Sequence, residues 1–230
     1  MKPERLDVFE ELKKITLFEG CDKIAILDLC GKARIRTFSK EIVIFDTYDN
    51  NEFLYFVLRG SVCAVHYAGD CEKGDYAISR VYGSFEGLNC GSVWDDASEG
   101  ELFTAVAGGE GAILLLIRKC HLLQLLKKYP SFCFEYSKYL RKIEKAYLKH
   151  VVHLLCYDNI EQRLIRCLRV LSRKNGENYV YPLGIHTHEK LARMIGKTRE
   201  SVTRSLGKLN SMGILRTNER RRIMGINLPD

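Results

Sequence analysis

Seven consecutive residues, Thr198-Arg199-Glu200-Ser201-Val202-Thr203-Arg204, combine side chains that can read the edges of base pairs. At helical spacing Arg199, Glu200, Thr203 and Arg204 point away from the apolar Val202, Leu206 and Leu209. An arginine can donate two hydrogen bonds to the O6 and N7 of guanine, and a glutamate can accept from the N4 of cytosine. An Arg-Glu pair with Arg204 one turn on therefore suits G·C pairs. Thr198 and Ser201, beside the free N–H groups of a helix start, suit phosphate oxygens. Thr187 and Lys208 complete the candidate contact set. The competing reading is that Glu200 and Arg204, four residues apart, form an ordinary ion pair on a wet helix face.

These residues need two short helices meeting at a tight turn. Thr187 can cap the first, with Leu191, Ala192 and Ile195 facing inward. Gly196 permits the turn, and Thr198 can cap the second. This is the pattern of a helix-turn-helix. Beyond Gly213, Ile214 to Arg216 and Ile223 to Ile226 read as two short strands, a wing whose tip carries Arg220, Arg221 and Arg222 for the DNA backbone. Upstream, Asp158 with Glu161 three residues on resembles a capping box opening a helix from Ile160 to Ser172, and Gly176 and Pro182 punctuate a loop.

Charge follows the same division. Residues 1–158 carry 21 Lys and Arg against 23 Asp and Glu, whereas residues 159–230 carry 15 against 6, so the net +7 of the 230-residue chain belongs to its last third. That asymmetry points to a polyanion-binding domain joined to a neutral one.

The first half has strand character. Ile42 to Phe45, Phe53 to Leu58, Ser61 to Tyr67, Tyr76 to Val81, Leu102 to Ala107 and Ala112 to Ile117 are β-rich runs, separated by turn signals such as Arg59-Gly60 and Gly108-Gly109. Short strands at this spacing predict a sandwich or barrel. After Ile117 the period becomes helical: a short amphipathic piece at 119–128, then, from Pro130, apolar residues at Phe132, Tyr136, Leu140, Ile143, Tyr147, Val151 and Leu154. A seam this near a heptad suits a second copy of the chain, though it could also pack back on the barrel.

Taken together, these motifs resemble the Crp/Fnr family of bacterial transcription regulators, the cyclic-AMP receptor type. The likeness runs through Leu54 to Val62, Gly83-Ser84-Phe85, the long helix, Asp158 to Leu164 and Thr198 to Arg204. The resemblance implies an α+β chain: an N-terminal double-stranded β-helix, jelly-roll-like and effector-sensing, over 1–130, a dimerisation helix over 131–157, and a winged helix-turn-helix over 158–230. It further implies a homodimer on a palindromic operator in double-stranded DNA, RNA polymerase as partner if the chain is an activator, and Arg199, Glu200 and Arg204 as readers of a TGTGA-like half-site.

The sensor departs from that pattern. Gly83, Phe85, Glu86, Gly87 and Leu88 mark the expected effector pocket, yet nucleotide-binding relatives follow this turn with an Arg-Ser or Arg-Thr pair. Here no Lys or Arg occurs between Arg80 and Arg118, while Glu86, Asp95, Asp96, Glu99, Glu101 and Glu110 are acidic. A cyclic phosphate would meet like charge with no guanidinium fork, so the effector is expected not to be cyclic AMP and stays unidentified.

The nine cysteines contain no Cys-x-x-Cys and lack the N-terminal triplet of cluster-binding relatives. A dispersed set, Cys21, Cys30, Cys71 and Cys90, could hold an iron–sulfur cluster, and Cys63, His66 or His121 could ligate haem; a redox or gas sensor of the same family is thus an alternative, and so is a ligand-binding module acting on a protein partner. No metal site or enzyme activity is expected: the adjacent Cys120 and His121 point about 100° apart on a helix and make no nucleophile–base pair. With no long apolar run and no leader-like start, the chain is read as cytoplasmic.

Overall fold

The computed structural model describes residues 6–19, 21–47, 49, 51–67, 76–95, 100–156, 159–175, 178–180, 187–217 and 223–227, without the side chains of 150, 153–155, 170, 173–180 and 224. Two compact units emerge, one formed by 1–64 with 82–147 and the other by 65–81 with 148–230.

In the first unit α1 (Val8–Lys14) and α2 (Lys23–Cys30) precede the strands, each capped by an aspartate that accepts from a backbone N–H two residues on, Asp7 and Asp22. The strands that follow are β1 (Arg34–Phe38), β2 (Val43–Phe45), β3 (Phe53–Tyr67), β4 (Tyr76–Tyr82) and β5 (Thr104–Arg118), of which the end of β3 and nearly all of β4 fall in the second unit. They form one sheet in the order β1-β5-β3-β4, with β2 pairing antiparallel to the first part of β5 and β1 to its second part.

The expected turns at Arg59-Gly60 and Gly108-Gly109 are not turns. Both lie inside continuous 15-residue strands, β3 and β5. Gly60 has φ +78° and Gly111 φ +81°, and a Cβ on Gly60 would sit 2.2 Å from the Gly111 carbonyl oxygen. The glycines serve close backbone approach between strands rather than chain reversal.

Two cores result. Phe18, Leu54, Phe56, Leu58, Leu115 and Ile117 gather with α3 (Lys119–Lys128) and the start of α4 (Pro130–Cys156), including Phe132 and Tyr136. On the other sheet face Phe45, Tyr55, Tyr82 and Phe103 pack as an aromatic cluster with ring centroids 5.1–5.9 Å apart. Glu11 ties α1 to β3: Arg59 donates to both carboxylate oxygens at 3.2 and 3.1 Å, and Lys14 adds a third bond at 2.8 Å.

The second unit contains α5 (Ile160–Leu171), β6 (Arg173–Asn175), β7 (Asn178–Val180), α6 (His188–Ile195), α7 (Arg199–Ser211), β8 (Leu215–Thr217) and β9 (Ile223–Ile226). The four strands make an antiparallel sheet ordered β6-β7-β9-β8. β6 pairs antiparallel with β7, Asn175 opposite Asn178, so the two wing strands belong to a larger sheet than they implied; Gly176 and Pro182 lie outside the described residues. The N-cap of α5 is Asn159, whose side chain accepts from the Glu161 N–H at 2.8 Å; Asp158 lies outside the described residues.

Candidate nucleic-acid interface and effector turn

The two helices of the expected helix-turn-helix form where their caps direct them. Thr187 Oγ accepts from Lys190 N at 3.2 Å, and Thr198 Oγ accepts from Ser201 N at 3.3 Å. Between them Gly196 takes the left-handed conformation at φ +64° and ψ +45°. Leu191, Ala192, Ile195, Val202, Leu206 and Leu209 are all buried. α5 packs against both helices, and Arg163 closes the end of α6 by donating to the Ile195 carbonyl at 3.2 Å.

That packing leaves one face of α7 outward. Arg199, Glu200, Thr203, Arg204 and Lys208 are exposed and Ser201 is half-buried. Among the described residues the side chains of Arg199, Glu200 and Arg204 make no ion pair, so the alternative of a Glu200–Arg204 bridge is not formed here. Lys208 differs, since it donates to Glu161 on α5 at 3.3 Å, beside a bond from Ser205 to the same oxygen. Bonds from its own backbone N–H, then from Lys208 and Ser205, hold the Glu161 carboxyl below the usual range against the cost of burial. Glu161 is therefore a brace between α5 and α7, a role visible only once α7 is folded over it; the capping-box bond expected with Asp158 lies outside the described residues. The wing tip, Arg220 to Arg222, lies outside the described residues.

The residues of the dimer seam divide. Phe132 and Tyr136 are buried within their own unit at 3% and 0% exposure, and Leu140 packs partly against the same core. Phe132 and Tyr136 are thus occupied by their own unit, whose core Leu140 joins in part. Further along, Ile143 and Val151 are half-buried, while Tyr147, Leu148 and Val152 are exposed at 47%, 50% and 51%. The Leu154 side chain lies outside the described residues.

The turn expected to hold an effector is held by the protein itself. Five of the six N–H groups from Gly83 to Leu88 meet internal acceptors, all but that of Ser84. Gly83 N donates to Glu86 Oε2 at 2.7 Å, Glu86 N to Gly83 O at 3.2 Å, Gly87 N to Tyr139 Oη at 3.0 Å and Leu88 N to Tyr55 O at 2.9 Å, and Phe85 N bonds to Val57 O. Phe85 adopts φ +69°, and a Cβ on Gly87 would lie 2.4 Å from Cys90 Sγ and 2.9 Å from the Phe56 ring. Tyr136 on α4 donates to the Cys90 carbonyl, so two tyrosines of the long helix grip this segment.

Beside it sits a buried carboxylate that the acidic run only hinted at. Glu101 Oε1 receives Asn89 Nδ2 at 2.7 Å, Asn51 Nδ2 at 3.0 Å, Lys119 Nζ at 3.2 Å and Ser92 Oγ at 3.3 Å. Asn89 also donates to Phe53 O and accepts from Tyr55 N, continuing the edge of β3 in side-chain form. Burial, and then the Glu101 charge, push the Tyr55 hydroxyl up to about 12.

Cys63 and Cys90 are buried, Cys21 and Cys30 half-buried, and Cys71 lies outside the described residues. Among the described residues no three His, Cys, Asp or Glu side chains converge as metal ligands. His66 Nε2 is 2.8 Å from Ser79 Oγ, His121 Nδ1 is buried without a hydrogen-bond partner among the described residues, and Cys120 beside it is exposed. No helix among the described residues is long and apolar enough to cross a membrane.

Residues 162–230 match the Crp-like helix-turn-helix domain family. No curated protein matches the chain in sequence. Among solved structures, FixK2 from Bradyrhizobium japonicum is 17% identical at a TM-score of 0.70, covering 85% of this chain and 93% of its own. The global regulator CLP of Xanthomonas campestris is 21% identical at 0.68, covering 90% and 100%. A CooA mutant from Carboxydothermus hydrogenoformans is 17% identical at 0.66, covering 98% and 94%. With capped helices around Gly196 and a four-stranded antiparallel sheet in the second unit, and the five-stranded sheet of β1 to β5, the chain has a Crp/Fnr-like fold, and residues 162–230 form a Crp-like helix-turn-helix domain.

Proposed function

We propose that this chain is a homodimeric, sequence-specific DNA-binding regulator of transcription, acting in the cytoplasm, with 1–130 sensing, 131–157 dimerising and 158–230 reading DNA. The observation that carries the reading is the outward face of α7, where Arg199, Glu200 and Arg204 stand exposed and outside any ion pair among the described residues, with Thr203 exposed beside them, on a capped helix in the basic third of the chain. Dimerisation is supported by the exposed apolar residues Tyr147, Leu148 and Val152 on the later turns of α4, placing two recognition helices in successive major grooves about 34–36 Å apart. Selection from random duplexes tests it: a palindromic preference that Arg199→Ala and Arg204→Ala relax is expected, and no preference, or one both variants keep, overturns it.

The sensor responds to an effector other than a cyclic nucleotide bound in the family's manner. A phosphate at the 83–88 turn would have to displace the Glu86 carboxylate, the Tyr139 hydroxyl and two strand carbonyls from the backbone donors, with Glu101 close by. Calorimetric titration of the full chain with cyclic AMP is expected to show no tight binding; a tight, stoichiometric isotherm defeats this part alone.

A further inference from the structure

His188 opens α6 at the margin of the proposed reading surface. Its ring is half-buried, and Nδ1 lies 2.9 Å from Thr203 Oγ on α7. The Thr203 hydroxyl has a single proton, which it donates to the Arg199 carbonyl at 2.9 Å. Nδ1 must then carry a hydrogen and donate to Thr203 Oγ, leaving the lone pair of the neutral ring on Nε2. Protonation adds its hydrogen at Nε2 and leaves the Thr203 bond in place. The ring is thus fixed in one orientation in both charge states, and only the outer nitrogen changes between acceptor and cationic donor.

The charges around the ring favour the neutral form in the free protein. Burial, and then Arg199 across on α7, hold His188 below the ordinary histidine value. On its own helix Glu189 is paired with Arg193 at 3.0 Å, and Lys190 follows. From α5, Arg163 reaches the far end of α6, at Ile195. The positive N-terminal end of α6 acts in the same direction as Arg199.

We propose that His188 is a proton-linked DNA contact, whose Nε2 takes up a proton when a backbone phosphate arrives beside the Arg199–Thr203 face, so that DNA affinity rises as pH falls. The inference rests on the reading of α7 as the helix that enters the groove. A phosphate oxygen within hydrogen-bond reach favours the cation and offsets both Arg199 and burial. The bound-state pKa then exceeds the free one, so affinity grows as pH drops from the bound value to the free value and is level below that. One proton per protomer sets a ceiling of about tenfold per pH unit for each engaged His188, and about a hundredfold for a dimer.

Fluorescence anisotropy with the selected operator, at fixed ionic strength from pH 5.5 to 8.0, measures the slope. The wild type is expected to tighten toward low pH. His188→Gln is expected to lose that slope, and His188→Lys to bind at pH 8.0 as the wild type does at pH 6.0. Circular dichroism on both variants establishes that they are folded, and either folded variant suffices. A wild-type slope of zero, or an equal slope in the variants, overturns the inference while specific DNA binding stands. Absence of specific binding at every pH defeats the DNA-reading proposal and this inference together.

Discussion

Removing the Glu101 carboxylate should be among the most costly single changes in the first unit. The Asn89 amide and Ser92 hydroxyl that converge on Oε1 are buried, and the Lys119 side chain is only 19% exposed. Glu101→Ala leaves the largely enclosed Lys119 ammonium without its counterion and the buried Asn89 amide short of one acceptor, while Ser92 keeps the Asn89 carbonyl at 2.8 Å, a loss of about 3–5 kcal/mol. In Glu101→Gln the side-chain carbonyl can still accept from Asn89 and Ser92, so the loss is about 1–2 kcal/mol. The assay is built into the chain, because its one tryptophan, Trp94, ends the short 3-10 turn that contains Ser92. Urea unfolding followed by Trp94 fluorescence should move its midpoint down by about 1–1.5 M for the alanine variant, with a slope of about 3 kcal/mol per M, and by less than half of that for glutamine. An alanine midpoint within about 0.3 M of the wild type, well under the expected shift, would refute the claim that this carboxylate organises the turn.

Arg199→Ala and Arg204→Ala should each narrow the gap between operator and scrambled duplex by about 1–3 kcal/mol per half-site, read by competition anisotropy, with little change in nonspecific affinity. Thr198→Ala removes the hydroxyl that accepts from the Ser201 N–H and caps α7, and should cost about 1 kcal/mol by far-UV circular dichroism melts, with a matching fall in DNA affinity. Tyr147→Glu on the exposed part of α4 should shift the chain toward monomer in sedimentation velocity, whereas Tyr136→Phe, buried in its own unit, should leave the association state unchanged. Burial would raise Glu11, but its bonds to Lys14 and Arg59 outweigh that and hold it below the ordinary carboxylate value. The stability it adds is therefore present above pH about 4.5, and is lost as pH falls through the lowered value; Arg59→Ala should flatten the acid limb of a stability-versus-pH curve.

How far the fold was legible depended on how local its causes are. Thr187, Gly196 and Thr198 act on neighbours within four residues, so the caps and turn of the helix-turn-helix could be read directly from the chain. Gly60 and Gly111 misled because a glycine that reverses the chain and a glycine that lets two strands touch look alike until the partner strand is known. Phe132 and Tyr136 have the same period as Tyr147, and periodicity states which face of a helix is apolar without saying what covers it. At the sensor, the missing arginine was visible as a gap in composition. That Glu101 gathers residues 51, 89, 92 and 119 was not, since those donors are separated by up to 68 positions and meet only through the sheet.

The self-bonded turn at 83–88 also limits what this scaffold can become. A chain acquiring a phosphate ligand there would have to give up Glu86 as the acceptor for Gly83, move the Tyr139 hydroxyl from Gly87 and bring in a cation beyond Lys119, which Glu101 already holds. Each change made alone strands a polar group that the present arrangement satisfies, at about 1–3 kcal/mol, before any ligand contributes. Binding appears only after the last of them. Stepwise substitution toward nucleotide sensing therefore runs uphill through weakened intermediates, and libraries that vary residues 86, 101 and 139 together should find binders that single-site scans miss.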